Sequence, residues 1–199
     1  MPRNKELNDQ MREQRIEQIL KTALRLFSKR GLNGTKISDI AVETGMSQGL
    51  IYHYYRSKED IYIEIVRDAF RRLNAAVTIL RNMPLSPLDK IKKAVEGLLE
   101  NLEKSEDSAR YHYLIAQAQV TDTTPLKARK IIEENRDFPY EVIEEIIREG
   151  QSNGAIKKHD PAQMSLVFWN TIKGLAMHRA VHGENYRSPS PDIIMEIFI

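Results

Sequence analysis

Residues 31–62 carry two short helical patterns that meet at a glycine, and this arrangement restricts the local fold to two helices joined by a tight turn. The first pattern has three apolar residues at the i, i+3, i+4 spacing that aligns them on one face: Ile37, Ile40 and Ala41. Thr35 is predicted to cap the N-terminus of this helix. Gly45 is predicted to end it, because glycine readily takes the left-handed backbone conformation found at helix C-termini.

The second pattern runs from Ser47 to Tyr55 and has a polar and aromatic surface where a core helix would be aliphatic. Ser47 is predicted to be its N-cap, and Ile51 and Tyr55 share the inward side at i, i+4 spacing. The outward residues are then Gln48, Gly49, Tyr52 and His53. Two helices joined by a glycine-containing turn form the helix-turn-helix signature, whose second helix enters the major groove of DNA.

The outward side chains suit contacts with DNA. Gln48 can pair with an adenine edge, Leu50 or the Tyr52 ring can contact a thymine methyl group, and Gly49 lets the backbone approach closely. Phosphate contacts supply most of the affinity, and Lys58 is expected to make one. Lys58→Ala should therefore weaken binding to all duplexes and reduce its salt dependence, whereas Gln48→Ala should lose sequence preference. The candidate DNA-binding residues are Thr35, Lys36, Ser38, Ser47, Gln48, Gly49, Tyr52, His53, Tyr54 and Lys58.

This segment resembles the TetR (tetracycline-repressor) family of bacterial transcriptional regulators. The family pattern is Thr-x-x-x-x-Ile-Ala followed by Gly-Val-Ser-x-Gly-x-Leu-Tyr-x-Tyr/His-Phe-x-x-Lys-Glu-x-Leu. It is matched, with Met46, Ile51 and Tyr55 as conservative departures, at Thr35, Ile40, Ala41, Gly45, Met46, Ser47, Gly49, Ile51, Tyr52, Tyr54, Tyr55, Lys58, Glu59 and Ile61. The resemblance implies a homodimeric DNA-binding regulator, most often a repressor, whose C-terminal half binds a small-molecule effector.

Charge is unevenly distributed along the chain. Residues 1–58 contain eleven Lys and Arg against six Asp and Glu, whereas the other 141 residues carry a net charge of −3. A basic N-terminal part favours a polyanionic partner, although a basic surface is often only solvated. The motif, more than the charge, therefore supports double-stranded DNA as the partner.

The rest of the sequence is helical in pattern, so the expected fold is all-α. An N-terminal three-helix helix-turn-helix DNA-binding domain is expected at 1–57, and a C-terminal helical bundle for ligand binding and dimerisation at 58–199. The predicted helices beyond the helix-turn-helix span about 8–30, 58–83, 87–103, 105–120, 125–154 with a break at Pro139, 161–182 and 191–199. The helix that begins near Lys58 physically connects the two halves.

The resemblance also implies how two subunits meet. In the family the last two long helices of each subunit form a four-helix bundle, which here means about 161–183 and 191–199. The second segment is short for a self-supporting helix, so packing must hold it. A homodimer is expected because two recognition helices must reach successive major grooves roughly 34 Å apart.

Candidate effector-binding residues lie in the C-terminal half. Aromatic residues at helical spacing are more often core than ligand-binding, because pockets are few and mostly apolar. Polar groups set among aromatic residues can fix a ligand's orientation, and this criterion selects Tyr113, Gln117, Trp169 and Lys173. The sequence does not identify the effector itself.

No metal or cofactor is expected. The i, i+4 pair His178 and His182 could chelate a metal, but no third ligand is evident, and histidines near a helix C-terminus more often contact free carbonyls. The chain has no cysteine, which excludes disulfides and thiolate metal sites.

An enzyme is the main competing class, but the chain lacks GxGxxG, GxxxxGK[ST] and GxSxG motifs. A transcriptional activator or a nonspecific DNA-binding protein could also carry a helix-turn-helix. The nonspecific binder is disfavoured because residues 47–55 contain no Lys or Arg. No apolar stretch approaches a membrane span and no signal-peptide pattern is present, so we expect a cytoplasmic protein without a membrane partner.

Overall fold

The computed structural model describes residues 2–199, with side chains from Leu7 onward. In this part of the chain there are ten α-helices and no β-strand, which confirms the all-α fold. The helices are α1 (Pro2–Arg30), α2 (Ile37–Thr44), α3 (Gln48–Tyr54), α4 (Lys58–Asn82), α5 (Pro87–Lys104), α6 (Glu106–Val120), α7 (Leu126–Asn135), α8 (Phe138–Ser152), α9 (Pro161–His182) and α10 (Pro191–Met195). None of the helices in the described range is both long enough and apolar enough to cross a bilayer.

Ser47 caps α3 as predicted, and serine or aspartate side chains cap five further helices in the same way. Serine or aspartate side chains accept hydrogen bonds from first-turn amides at Ser47, Ser57, Ser86, Ser105, Asp160 and Ser190. Gly45 ends α2 with a φ of 68°, in the left-handed region where glycine is favoured. Local sequence therefore determines where most of these helices begin and end.

Three predicted boundaries are wrong in detail. The first helix begins at Pro2 rather than near residue 8. The break within 125–154 lies at Arg136 and Asp137, and Pro139 occupies the first turn of α8, where a missing N–H removes no helix bond. Thr35 does not cap α2, because its fully buried hydroxyl donates to the Gly31 carbonyl at 2.9 Å and Lys36 occupies the cap position.

The apolar core consists of two main clusters, and α4 contributes to both. The first joins α1, α2, α3 and the first half of α4 to Leu114 of α6 and Ile132 of α7. The second joins Val77 and Leu80 of α4 to α5, α8, α9 and the C-terminal segment. The helix-turn-helix therefore packs on a helix that continues into the second core.

The C-terminal segment packs on its own chain. Its helix α10 has five residues and lies against α5, with Ile194, Met195 and Phe198 buried in the second cluster. The Lys157 amide donates to the Phe198 carbonyl at 2.9 Å. The buried side of 191–199 is thus used within the subunit, whereas Ile193 and Ile199 remain exposed.

Candidate nucleic-acid interface and effector cleft

Helix α3 presents the surface that the sequence assigns to DNA. Fully buried Ile51 anchors the helix, and Tyr54 and Tyr55 pack against the first cluster. Gln48 and His53 are exposed, as is about half of Tyr52. The face that could enter a groove is therefore polar and aromatic and is not needed for packing.

Gly49 lies on this exposed face. A Cβ added there would meet only the Ser47 Oγ, at 4.0 Å, so the fold does not require glycine at this position. At Gly34, by contrast, a Cβ would lie 2.3 Å from the Arg30 carbonyl oxygen. Gly34 is a structural glycine, whereas Gly49 leaves bare backbone at the surface.

The N-terminus of α2 is already occupied by one of its own carboxylates. The Lys36 amide donates to Asp39 Oδ2 at 2.8 Å, and Arg30 lies 4.0 Å from the same oxygen. Ser38 is half-buried, whereas the Lys36 side chain is exposed. Since Thr35 is buried, Lys36 is the residue of this turn whose side chain is free to reach a phosphate.

Lys58 holds the turn between α1 and α2. Its Nζ donates to the carbonyls of Leu32 at 2.8 Å, Thr35 at 2.9 Å and Asn33 at 3.5 Å. All three donors of an ammonium group are thereby engaged inside the protein. This geometry conflicts with the expectation that Lys58 contacts phosphate, and it instead joins the start of α4 to the helix-turn-helix.

Two contacts fasten α2 to α1. Arg25 and Glu43 form an ion pair, and Gln18 Nε2 donates to the Thr44 carbonyl at 3.0 Å. Both contacts are made by the last turn of α2, next to the glycine that leads into α3. They orient the motif as a unit on α1.

Polar contacts also join α4 to the C-terminal half. Asp68 is almost fully buried, pairs with Arg71 and Arg72, and accepts a long hydrogen bond of 3.5 Å from the Tyr111 hydroxyl of α6. Burial, with the Asp68 charge next in importance, raises the pKa of Tyr111. Asn74 Nδ2 donates to Asn135 Oδ1 of α7 at 3.0 Å. A shift of α6 or α7 would therefore disturb these contacts and could move α4.

Of the four predicted effector residues, Lys173 alone lines an open cleft. Trp169 is buried and donates its indole N–H to the Pro139 carbonyl at 3.0 Å, so it helps to hold the first turn of α8 in place. Gln117 donates to the Tyr113 hydroxyl at 2.8 Å, and neither residue lines the cleft. Lys173 donates to the Tyr140 hydroxyl at 2.6 Å.

The cleft has a volume of about 550 Å³, within the range of small-molecule sites. It is lined by Gln119, Arg136, Asp137, Tyr140, Glu144, Ala162, Gln163, Ser165, Leu166 and Lys173. Sequence reasoning placed the break at Pro139, and Arg136, Asp137 and Tyr140 beside it were not among the candidate effector residues. The charged pair Arg136 and Asp137 before that proline was the available signal.

The two histidine rings near the end of α9 lie in contact with each other, tilted by 40°. The rings of His178 and His182 have centroids 4.0 Å apart. Within the described residues, no group of three or more His, Cys, Asp or Glu could hold a metal ion.

Comparison with known proteins places the helix-turn-helix in a defined family. Residues 19–65 match the model of bacterial regulatory proteins of the tetR family. Among curated relatives, the HTH-type transcriptional repressor KstR2 of Mycolicibacterium smegmatis is 25% identical over 143 residues, which cover 72% of this chain and 68% of the relative. The matches cover between 41% and 53% of three other curated relatives. These relatives are regulators rather than enzymes.

Solved structures extend the likeness to the C-terminal half. The MbdR regulator from Azoarcus sp. CIB superposes with a TM-score of 0.79 at 18% identity, covering 91% of this chain and 95% of that one. A putative transcriptional regulator from Saccharomonospora viridis, solved in complex with choline, superposes with a TM-score of 0.66 at 25% identity. The superposition covers 92% of this chain and 93% of that regulator. At 18% identity, the similarity to the MbdR regulator concerns the fold alone.

Proposed function

Since this chain belongs to the TetR family of bacterial regulatory proteins, and is therefore a DNA-binding transcriptional regulator, we propose that it is a homodimeric repressor released from a palindromic operator by a small-molecule effector. The observation that carries the proposal is the exposed face of α3, whose polar and aromatic side chains have no packing role. The similarity to the repressor KstR2 favours repression over activation. The choline complex of a relative supports a small-molecule effector.

We assign base reading to α3. Gln48 and Tyr52 contact base edges, and bare backbone at Gly49 allows close approach. Lys36, Ser38, Ser47, His53 and Tyr54 are positioned around them for phosphate contacts. The first 57 residues act as the reading unit and residues 58–199 as the regulatory unit, although their packing is continuous through α4.

The dimer is formed by α8 and α9 in this proposal, with α10 excluded by its packing inside the subunit. The inner side of α9 is buried in the second cluster, and its outer side carries exposed apolar residues at helical spacing: Leu166, Val167, Met177 and Val181. A helix that is apolar on both sides is typical of one covered on both sides. A second copy of the chain is the occupant that a palindromic operator demands.

Effector binding acts through α4. Ligand in the C-terminal half moves α6 or α7, and the contacts at Asp68 and Asn74 transmit that movement to the helix that carries the reading unit. The two α3 helices then lose the groove spacing. Thermodynamic linkage requires DNA to weaken effector binding by the same factor.

The test is selection of bound sequences from a random duplex pool with the purified protein. A palindromic consensus is expected, with a preference of ~10³-fold or more over random duplex. Gln48→Ala should flatten the consensus at one symmetric position while leaving the salt dependence unchanged. Absence of enrichment by a folded protein would refute sequence-specific binding, and a consensus without symmetry would refute the dimeric arrangement.

A further inference from the structure

One stripe of α9 contributes two lining residues to the open cleft, Ser165 and Lys173. Ser165, Trp169 and Lys173 follow each other at four-residue spacing and all donate to the start of α8. Ser165 Oγ donates to the Tyr140 carbonyl at 2.8 Å, Trp169 Nε1 to the Pro139 carbonyl at 3.0 Å, and Lys173 Nζ to the Tyr140 hydroxyl at 2.6 Å. These three bonds hold the Tyr140 ring and the Lys173 ammonium in a fixed relation before any ligand arrives.

Lys173 is the cation of this cleft that has no carboxylate partner among the described residues. Asp137 is 3.7 Å from Arg136, and Glu144 is paired with Arg148. The Lys173 ammonium has only the Tyr140 hydroxyl and the face of the Tyr140 ring, 5.0 Å from its centroid. A half-buried ammonium is costly unless an anion or several strong acceptors satisfy it.

His112 of α6 is close enough to Lys173 to be affected by its charge, but it does not supply a second charge. Burial, with a smaller contribution from the Lys173 charge, lowers the pKa of His112 to about 4. The imidazole is therefore neutral at neutral pH. Lys173 is therefore the positive charge next to the Tyr140 hydroxyl, whereas Arg136 on the cleft wall lies beside Asp137.

We propose that the cleft between α8 and α9 binds an organic monoanion, with its carboxylate at the Lys173 ammonium and the Tyr140 hydroxyl. The apolar or aromatic body of the ligand lies along Tyr140, Ala162 and Leu166 on the cleft wall. The role of this anion as effector rests on the proposed function, whereas its binding does not. Leu166 also belongs to the outer apolar stripe of α9, so a partner subunit docked on that stripe would adjoin the bound ligand.

The chain supplies its own reporter for this site. Trp169 is its single tryptophan, and its ring centroid is 6.0 Å from that of Tyr140. Its fluorescence should change when a ligand contacts or displaces Tyr140. Binding can thus be followed on the free protein without DNA.

The experiment titrates matched pairs of acids and neutral amides at pH 7.5: phenylacetate with phenylacetamide, and octanoate with octanamide, with choline as a cationic probe. Each acid should bind at least about tenfold more tightly than its amide, since a charge-assisted hydrogen bond is about twice as strong as a neutral one. Choline should not bind. The variant Lys173→Met should abolish the preference for acids, and Lys173→Arg should retain most of it.

Lys92→Met, on the exposed side of α5, is the matched control and should behave as the unaltered protein. Circular dichroism checks that each variant is folded. Equal affinities for acids and amides, a preference that survives in Lys173→Met, binding of choline, or no acid binding below about 1 mM would each overturn the proposal. Failure here would leave the operator selection unaffected, so the two proposals are separable.

Discussion

Gly49 and Lys58 belong to the same helix-turn-helix, but their surroundings give them different roles. Gly49 is exposed and has no neighbour that a methyl group would strike. Lys58 directs its ammonium inward onto three carbonyls of the α1–α2 turn. Gly49 is therefore available to contact DNA, whereas Lys58 stabilises the fold.

Gly49→Ala should stabilise the protein and weaken operator binding. Alanine in a helix is favoured over glycine by about 0.5–1 kcal/mol, whereas an added methyl group blocks close backbone approach to the groove. Urea denaturation should show the gain, and fluorescence anisotropy with the selected operator should show at least about a tenfold loss of affinity.

Gly97→Ala is the matched control, because Gly97 is an exposed glycine inside α5 with open space around it. It should give a similar stabilisation with unchanged operator affinity. If Gly49→Ala bound operator as tightly as the unaltered protein, close backbone approach at this position would be ruled out.

Lys58→Met should destabilise the protein without changing the salt dependence of DNA binding. Removing the ammonium leaves three carbonyls to find other donors, which costs about 1–3 kcal/mol in the free energy of unfolding. The measurements are urea denaturation and the slope of log K against log salt concentration. The exposed Lys36→Met provides the opposite pattern, with stability retained and the slope reduced by about one phosphate contact. A reduced slope for Lys58→Met would show that this ammonium leaves its carbonyls to bind DNA.

At the scale of elements, α9 performs three structural tasks on different sides. One side fills the second core, one stripe holds the start of α8, and the outer side carries the exposed apolar residues. By comparison, α10 has five residues, buries Ile194 and Met195 in the second cluster, and leaves one exposed apolar residue, Ile193. This difference is why α9, with α8 beside it, is the better candidate for the subunit interface.

Val181→Glu should convert the proposed dimer to monomer. Its side chain is 78% exposed in the single subunit, and a carboxylate there would be buried without a partner in the proposed interface. Sedimentation velocity gives the mass of the species present. Val120→Glu at the end of α6, where valine is 84% exposed, is the control and should remain dimeric. A dimer that persists in Val181→Glu would place the interface elsewhere.

At the scale of the whole molecule, the first apolar cluster extends across the predicted domain boundary at residue 57. It is closed on one side by α1, α2 and α3 and on the other by Ile61, Ile65, Leu114 and Ile132 from α4, α6 and α7. The regulatory half therefore completes the hydrophobic core of the reading unit. In the proposed mechanism, this shared core would carry a movement of α6 or α7 to the helix-turn-helix.

The isolated segment 1–57 should fail to fold. Without α4, α6 and α7, buried residues such as Leu24 and Phe27 would be exposed to water, and a domain of this size has little apolar area to spare. Circular dichroism during thermal unfolding should show low helicity and no cooperative transition, whereas the full chain should unfold cooperatively. Cooperative unfolding of 1–57 would show that the reading unit is an independent domain.

The sequence alone determined most helix ends and identified the helix-turn-helix. Capping residues at Ser47 and Asp160, the left-handed glycine at position 45 and apolar spacing are local features, so they fix helix ends without reference to distant residues. The many simultaneous matches to the family pattern identified the class of regulator. Thr35 was misassigned because a hydroxyl's partner depends on how the preceding turn closes.

Tertiary structure alone decided which side chains are free. Lys58 and Lys173 are both lysines on helices, but Lys58 donates to three carbonyls of the α1–α2 turn. Lys173 lines a cleft and has no carboxylate partner among the described residues. Trp169 looked like a ligand residue, but packing buries it and directs its N–H to Pro139. Such outcomes depend on contacts between residues 23 to 33 positions apart in these cases, and helical periodicity within one element carries no information about them.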